Sequence, residues 1–214
     1  MPVKWLLYWQ PGSAGQVSGN ILQEVMKSIE SLNVTRGARW EAKAAQYRPM
    51  LRDQNLPADF ARDLQSIFFS ENPSKFFFIL RTEHMVVEAD SNVQDIMERL
   101  QTYRNRLTFV FEGYQYQLGD FNLKAGRAVL NGESIRGIVL EVEYLPVSSI
   151  EKSRTLLQEF VELWQDVISK HSLNGKISHL EPPFGSYLLS DTYSWQHTAV
   201  QYTNMMTHFL SQRS

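Results

Sequence analysis

The stretch Leu107-Thr-Phe-Val-Phe-Glu-Gly113-Tyr-Gln-Tyr-Gln-Leu-Gly119-Asp-Phe-Asn-Leu-Lys-Ala-Gly126-Arg-Ala-Val-Leu-Asn-Gly132-Glu-Ser-Ile-Arg-Gly-Ile-Val-Leu-Glu-Val-Glu-Tyr144 decides the fold. Its apolar residues alternate with a period of two, the mark of strands. The parity of the alternation switches: Leu107, Phe109 and Phe111 are odd, Tyr114, Tyr116 and Leu118 even, Phe121, Leu123 and Ala125 odd, Ala128 and Leu130 even. The switches fall at Gly113, Gly119 and Gly126. A one-residue slip turns later side chains to the other face unless a bulge or turn absorbs it, and glycine is where such devices sit. The pattern predicts strongly bent strands that curl the sheet into a barrel. Asn131-Gly132 is a hairpin signal of the type I′ kind. The return strand alternates Ile138, Leu140, Val142 and Tyr144 against Glu141 and Glu143.

Working outward, Ser148-x-x-Glu151 reads as a capping box opening a long helix over about 149–170, and Ser91-x-x-Gln94 as one opening a helix that carries Val93, Ile96, Met97, Leu100 and Tyr103. Phe76–Arg81 and His84–Ala89, joined by Thr82-Glu83, read as a hairpin. Val3–Gln10 is rich in aromatic and branched residues and stops at Pro11-Gly12, a strand. A helix over 20–32 follows, with Asn20 as its N-cap, and then a strand over Gly37–Tyr47. In the polar segment 49–73, Phe60, Leu64, Ile67 and Phe68 share a helical face. That segment is expected to be a variable insertion. Near the C-terminus, 171–186 reads as loop, Tyr187–Leu189 as a short strand, and about 193–211 as a helix with Trp195, Ala199, Tyr202, Met205, Met206 and Phe209 on its stripe. The expected fold class is α+β: one domain over 1–214, built as a largely antiparallel, strongly bent β-barrel of about seven or eight strands with helices packed outside.

Composition narrows the chemistry. The 214 residues carry 21 basic and 23 acidic side chains and no cysteine. A cysteine nucleophile, a thiolate zinc site and a disulfide framework are thereby excluded. Neither a basic stripe nor a basic run is present, so direct nucleic-acid binding by bulk charge is disfavoured. The longest apolar run, Phe76–Leu80, is far short of the ~20 residues a membrane helix needs. There is no glycine-rich phosphate loop, and Gly132-Glu-Ser-Ile-Arg-Gly137 is one residue too long for a nucleophile elbow. The five histidines, His84, His171, His179, His197 and His208, make no i, i+4 metal pair.

One constellation carries an enzymatic alternative. Glu141 and Glu143 point to one face of a strand. Inside a barrel they could hold a divalent cation, as in tunnel-type triphosphatases. The first strand lacks the acidic residues those enzymes carry, and the plainer expectation is that both glutamates face solvent. No catalytic residue, cofactor or metal is therefore expected. The remaining candidates are aromatic: Phe76, Phe77 and Phe78, apolar on both strand faces, and Trp195, Tyr202 and Phe209 of the last helix are candidate partner contacts.

Tyr114-Gln-Tyr116, Asp120-Phe121, Lys124-Ala-Gly126, Arg136-Gly-Ile-Val-Leu-Glu-Val-Glu-Tyr144, Leu156-Leu157 and Glu159-Phe160 together resemble the Mediator complex subunit 20 family, also called the TATA-binding-protein-related-factor-proximal proteins. The likeness is dense over about 107–165, weaker through Phe76–Leu100 and faint before residue 50. Segment 49–73 and the Pro182-Pro183 loop depart from the pattern, and the Tyr116–Asp120 spacing carries an insertion. The resemblance implies a β-barrel with outer helices and a non-catalytic role in the nucleus, in transcriptional coactivation of RNA polymerase II. It implies a direct heterodimer with Mediator subunit 18, a protein of related fold. That pair joins the head module through the C-terminal helix of Mediator subunit 8. It also implies a link to the TATA-binding protein and RNA polymerase II.

Overall fold

A computed structural model describes residues 1–12, 19–32, 34–50, 64–170 and 173–212. Nine strands and four helices are described: β1 (Val3–Pro11), α1 (Gly19–Glu30), β2 (Thr35–Pro49), β3 (Leu64–Phe69), β4 (Lys75–Leu80), β5 (Met85–Asp90), α2 (Val93–Leu100), β6 (Tyr103–Leu118), β7 (Phe121–Leu130), β8 (Ser134–Tyr144), α3 (Ile150–Lys170), β9 (Gly175–His179) and α4 (Trp195–Ser211), with a single 3-10 turn at Phe184–Tyr187. All nine strands belong to one antiparallel sheet in the order β5-β4-β3-β2-β6-β7-β8-β1-β9. The sheet curls but does not close: β5 and β9 are its two edges, which corrects the expected barrel.

The curl forms around α4. That helix touches β1, β2, β3, β4 and β5, strands from opposite ends of the sheet order. Tyr202 packs edge-on against Trp40 of β2, Phe69 of β3 and Phe111 of β6. Phe209 meets Tyr8 of β1 and Phe109 of β6. Ten of its side chains are buried, Ala199, Tyr202, Met205, Met206 and Phe209 among them. So α4 fills the hollow of the sheet, whereas α1 and α3 pack on its outer face over Val3, Leu7, Trp9, Ile138, Leu140 and Val142. The expected outside position of every helix is corrected for α4. A helix buried almost all round fits its apolar and small residues on every side.

This arrangement explains the parity switches. On β6, Phe109 and Phe111 face α4, while Tyr116 faces the outer helices. On β7, Leu123 and Ala125 face outward and Ala128 faces α4. Over 107–118 and 121–128 odd and even residues keep their faces; the covering layer changes instead. The apolar parity therefore switches without any slip in register. Gly113 and Gly126 are directly paired in an unbroken ladder. A Cβ at Gly113 would lie 2.0 Å from the Ala125 carbonyl oxygen, and one at Gly126 2.3 Å from that of Glu112. These glycines permit a close backbone approach beneath Trp40 and are not bulges. The register breaks occur at Arg36/Arg39, Gln46/Tyr47 and Ala128/Val129. The Asn131-Gly132 turn has positive φ at both residues, 50° and 74°, as type I′ requires.

Five local expectations change. Leu64–Phe69 is an inner strand between β2 and β4, not an amphipathic helix in an insertion. Its buried pattern is nearly continuous because α4 covers one face and α2 the other. Phe60 and the rest of 51–63 lie outside the described residues. Gly175–His179 is the edge strand β9, and Tyr187 ends a 3-10 turn in place of the expected strand. α2 follows Asn92, which makes no side-chain cap bond. At α3 the cap is Ser149, whose Oγ accepts the Lys152 N–H at 3.2 Å, assisted by Asp191, whose Oδ1 accepts the Glu151 N–H at 2.8 Å.

Candidate functional site

The only titratable cluster buried in the hollow, among the described residues, gathers around Glu141. β8 carries Glu141 and Glu143 on its inner face, β1 carries Lys4, β7 carries Lys124, and the β3–β4 turn carries Glu71. The ladders place these together: Lys4 is opposite Glu143, and Lys124 is opposite Glu141. Lys124 Nζ lies 3.0 Å from Glu141 Oε1 and 2.5 Å from Glu71 Oε2. Lys4 Nζ lies 3.6 Å from Glu141 and 3.5 Å from Glu143. The Tyr202 hydroxyl donates to Glu141 Oε2 at 2.7 Å. Lys4 also sits 5.0 Å over the Trp195 ring, and Lys124 5.4 Å over Trp40. The expectation that both glutamates face solvent is corrected, since Glu141 is 2% exposed.

Ion pairing makes this burial tolerable: Lys4 and Lys124 face Glu141, Glu143 and the partly exposed Glu71. Burial alone raises a carboxyl's pKa; the attraction of Lys124 and then Lys4, with the Tyr202 hydrogen bond, outweighs it and holds Glu141 at about 2. For Lys124, burial lowers the pKa, but Glu141 and Glu71 raise it further, so it stays charged. Burial first, and the Glu141 charge second, push Tyr202 well above the ordinary tyrosine range, so it remains a donor. The inner carboxylates are committed to lysines and a tyrosine, and α4 stands where an open tunnel would need space for substrate. Among the described residues no three acidic or histidine side chains converge to hold a metal ion.

α4 is fastened by backbone as well. β9 pairs with β1 only from Leu7 onward, leaving Lys4 and Leu6 without a strand partner on that side. The Gln201 side-chain amide takes the place of one: its oxygen accepts the Leu6 N–H at 2.8 Å, and its nitrogen donates to the Lys4 carbonyl at 2.9 Å and to Tyr193 Oη at 2.7 Å. Ser194 and His197 form the capping box that starts α4, and His197 Nε2 meets the Ser190 carbonyl at 2.9 Å.

The aromatic candidates have other duties. Phe77 faces α4, whereas Phe76 and Phe78 face α2 through Val93 and Met97. Tyr202 and Phe209 are buried in the hollow, and Trp195 is half-buried against Phe69. Both faces of β4 are covered within the chain, by α4 and by α2. A cleft of about 570 Å³ lies away from all of these, between the Trp5–His179 stack and residues 181–191. Burial drops His179 to about 4, with Arg154 helping and Glu181 opposing, so its ring is neutral. His171 lies outside the described residues. The Lys4–Glu141 cluster escaped the sequence reading because its members are scattered from residue 4 to 202; the one available signal was an inward-facing lysine in β1 opposite the Glu-x-Glu strand.

A curled antiparallel sheet whose hollow is filled by its own helix, and whose inner lysines are ion-paired to carboxylates, defines an α+β protein built on a single sheet. The comparisons give its kind. The family model described as TATA-binding related factor of subunit 20 of Mediator complex matches residues 1–207. The chain is 48% identical over 212 residues to Mediator of RNA polymerase II transcription subunit 20b of Arabidopsis thaliana, covering 99% of this chain and 97% of that protein. It is 24% identical over 206 residues to subunit 20 of Xenopus laevis, covering 95% and 92%. A chain of the Schizosaccharomyces pombe Mediator head module is similar at 13% identity and a TM-score of 0.42, over 75% of this chain and 94% of that one. The chain belongs to the Mediator subunit 20 family. Members of that family are non-catalytic subunits of a transcriptional coactivator complex, and the triphosphatase alternative is set aside.

Proposed function

We propose that this structural Mediator subunit works in the nucleus as part of the head module. It pairs directly with Mediator subunit 18 and lies in the same submodule as the C-terminal helix of Mediator subunit 8. Through that assembly it is linked to the TATA-binding protein and RNA polymerase II, without touching DNA itself. The observation that supports this reading is the family match across residues 1–207. The filled hollow agrees with it: the fold spends its interior on rigidity and offers its outer surfaces to other proteins. The whole chain acts as one domain, and the sheet's continuity from β5 to β9 supports that.

The test is co-expression with the cognate Mediator subunit 18, followed by gel filtration and analytical ultracentrifugation. A one-to-one complex that co-elutes and co-sediments at micromolar concentration is expected. Two proteins that sediment separately at micromolar concentration would remove the pairing from the proposal while leaving the family membership untouched.

A further inference from the structure

The two edges of the sheet are treated differently. At β9 a side chain from α3 closes the edge: Gln165 Oε1 accepts the Ile177 N–H at 2.6 Å, and Gln165 Nε2 donates to the Gly175 carbonyl at 3.3 Å. Among the described residues nothing does this for β5. The Ser91 N–H bonds to the Ser74 carbonyl at 3.0 Å, and Lys75 is opposite Asp90. In an antiparallel ladder, bonded and non-bonded pairs alternate. Met85, Val87 and Ala89 therefore bond inward to β4, and Val86, Glu88 and Asp90 direct their N–H and C=O groups to the open edge.

Around this edge the surface is apolar and mainly acidic. Met85 is 51% exposed and Val87 40%, and α2, which finishes the same outer face, leaves Ile96 at 49% and Leu100 at 64%. Over Glu83–Glu98 there are five carboxylates, Glu83, Glu88, Asp90, Asp95 and Glu98, and no lysine or arginine. Lys75 of β4 answers two of them, at 3.3 Å to Glu88 and 3.1 Å to Asp90. Natural sheets blunt free edges with charge to prevent unwanted pairing. Here five carboxylates outnumber the neighbouring Lys75, Arg81 and Arg99, so a second copy would set one acidic edge against another. A basic strand would be drawn in.

We propose that the β5 edge and the adjoining α2 face receive an extended segment of another protein in which apolar and basic residues alternate, added to the sheet as a tenth strand. Backbone bonds to Val86, Glu88 and Asp90 supply affinity, and Met85, Val87 and the carboxylates supply specificity, as in other strand-addition complexes. This docking site does not rest on the pairing with subunit 18.

The test uses the full chain and a fluorescein-labelled peptide of about eight residues alternating lysine and valine, about the length of an ordinary strand. The counterpart alternates glutamate and valine. Anisotropy should show saturable binding of the lysine peptide that weakens as salt is raised, and none of the glutamate peptide. Amide exchange should show new protection at Val86 and Glu88, and little change at Val87, which already bonds to β4. Glu88→Pro removes an outward N–H without breaking a β4 bond, and should weaken binding about tenfold, as one lost backbone bond predicts. Val87→Lys, which keeps the backbone and introduces repulsion, should weaken it likewise. Leu163→Lys on α3 is the control and should bind as the parent does. Circular dichroism establishes that each variant is folded. Absent binding, equal binding of the glutamate peptide, or binding indifferent to both edge variants would overturn the proposal. A dimer of the chain alone that Val87→Lys dissolves would also overturn it, by making a second copy the occupant.

Discussion

Lys124 and Glu141 show what a buried ion pair does in this molecule. Both are nearly inaccessible, at 3% and 2% exposure. Taking two charges from water is costly, so such a pair is worth little over well-packed apolar residues; removing one member is what destabilises. Lys124→Met should lower the urea-derived unfolding free energy by about 3 kcal/mol, and the double variant with Glu141→Met should recover most of it. A Lys124→Met protein as stable as the parent would show that Lys4 and Tyr202 suffice for Glu141. The pH dependence has a definite sign. Glu141 ionises at about 2 in the fold against 4.5 for an ordinary glutamate. Its contribution is complete above about pH 4.5 and is lost as the pH falls through 2. Acid titrations of stability should be shallower over that window in Glu141→Met.

At the scale of elements, the legible parts were those whose pattern is set by their own sequence. β1, the β4–β5 hairpin, the Asn131-Gly132 turn, α3 and α4 all declared themselves through periodicity or turn residues. β3 did not, because Leu64, Ile67 and Phe68 fall at helical spacing while a strand covered on both faces has no period of its own. β9 did not, because Gly175-Lys-Ile-Ser-His179 holds one apolar strand former and is fixed by Gln165 from another element. The charge cluster was half legible: the Glu-x-Glu strand was visible, but its lysines lie on β1 and β7. The parity of β6 and β7 was read correctly as a signal and wrongly as bulges, since sequence shows which residues are apolar and not which layer covers them. One contact tests the seating of α4. A Cβ on Gly137 of β8 would lie 2.3 Å from the Phe209 ring. Gly137→Ala should therefore cost about 1–3 kcal/mol by overpacking, and Gly137→Ala combined with Phe209→Leu should regain part of it. Thermal unfolding monitored by near-ultraviolet circular dichroism reads both; an unchanged midpoint for the single variant would mean that α4 can shift freely in the hollow.

Taken as a whole, the molecule is a sheet that needs its last helix. Leu6, Ile67, Phe69, Phe77, Phe109 and Phe111 are buried largely because α4 lies on them. A chain ended before Trp195 should express in insoluble form or, if refolded, bind an apolar dye and lose its near-ultraviolet signal. Adding the missing helix as a separate peptide should restore both. A soluble truncated sheet with sharp tertiary signals would show that the curl exists without its filling.

The place of β1 has a consequence for synthesis. Its ladder partners are β8 and β9, at residues 134–144 and 175–179, and Gln201 meets its Leu6 N–H and Lys4 carbonyl. β1 thus leaves the ribosome well before either of its neighbours. At about 5–20 residues per second, Val-Lys-Trp-Leu-Leu-Tyr-Trp waits for roughly ten seconds or more as an aromatic-rich, unpaired ribbon. The nascent chain is then most exposed to chaperones and to mispairing, and its yield in the cell depends on how well that interval is guarded.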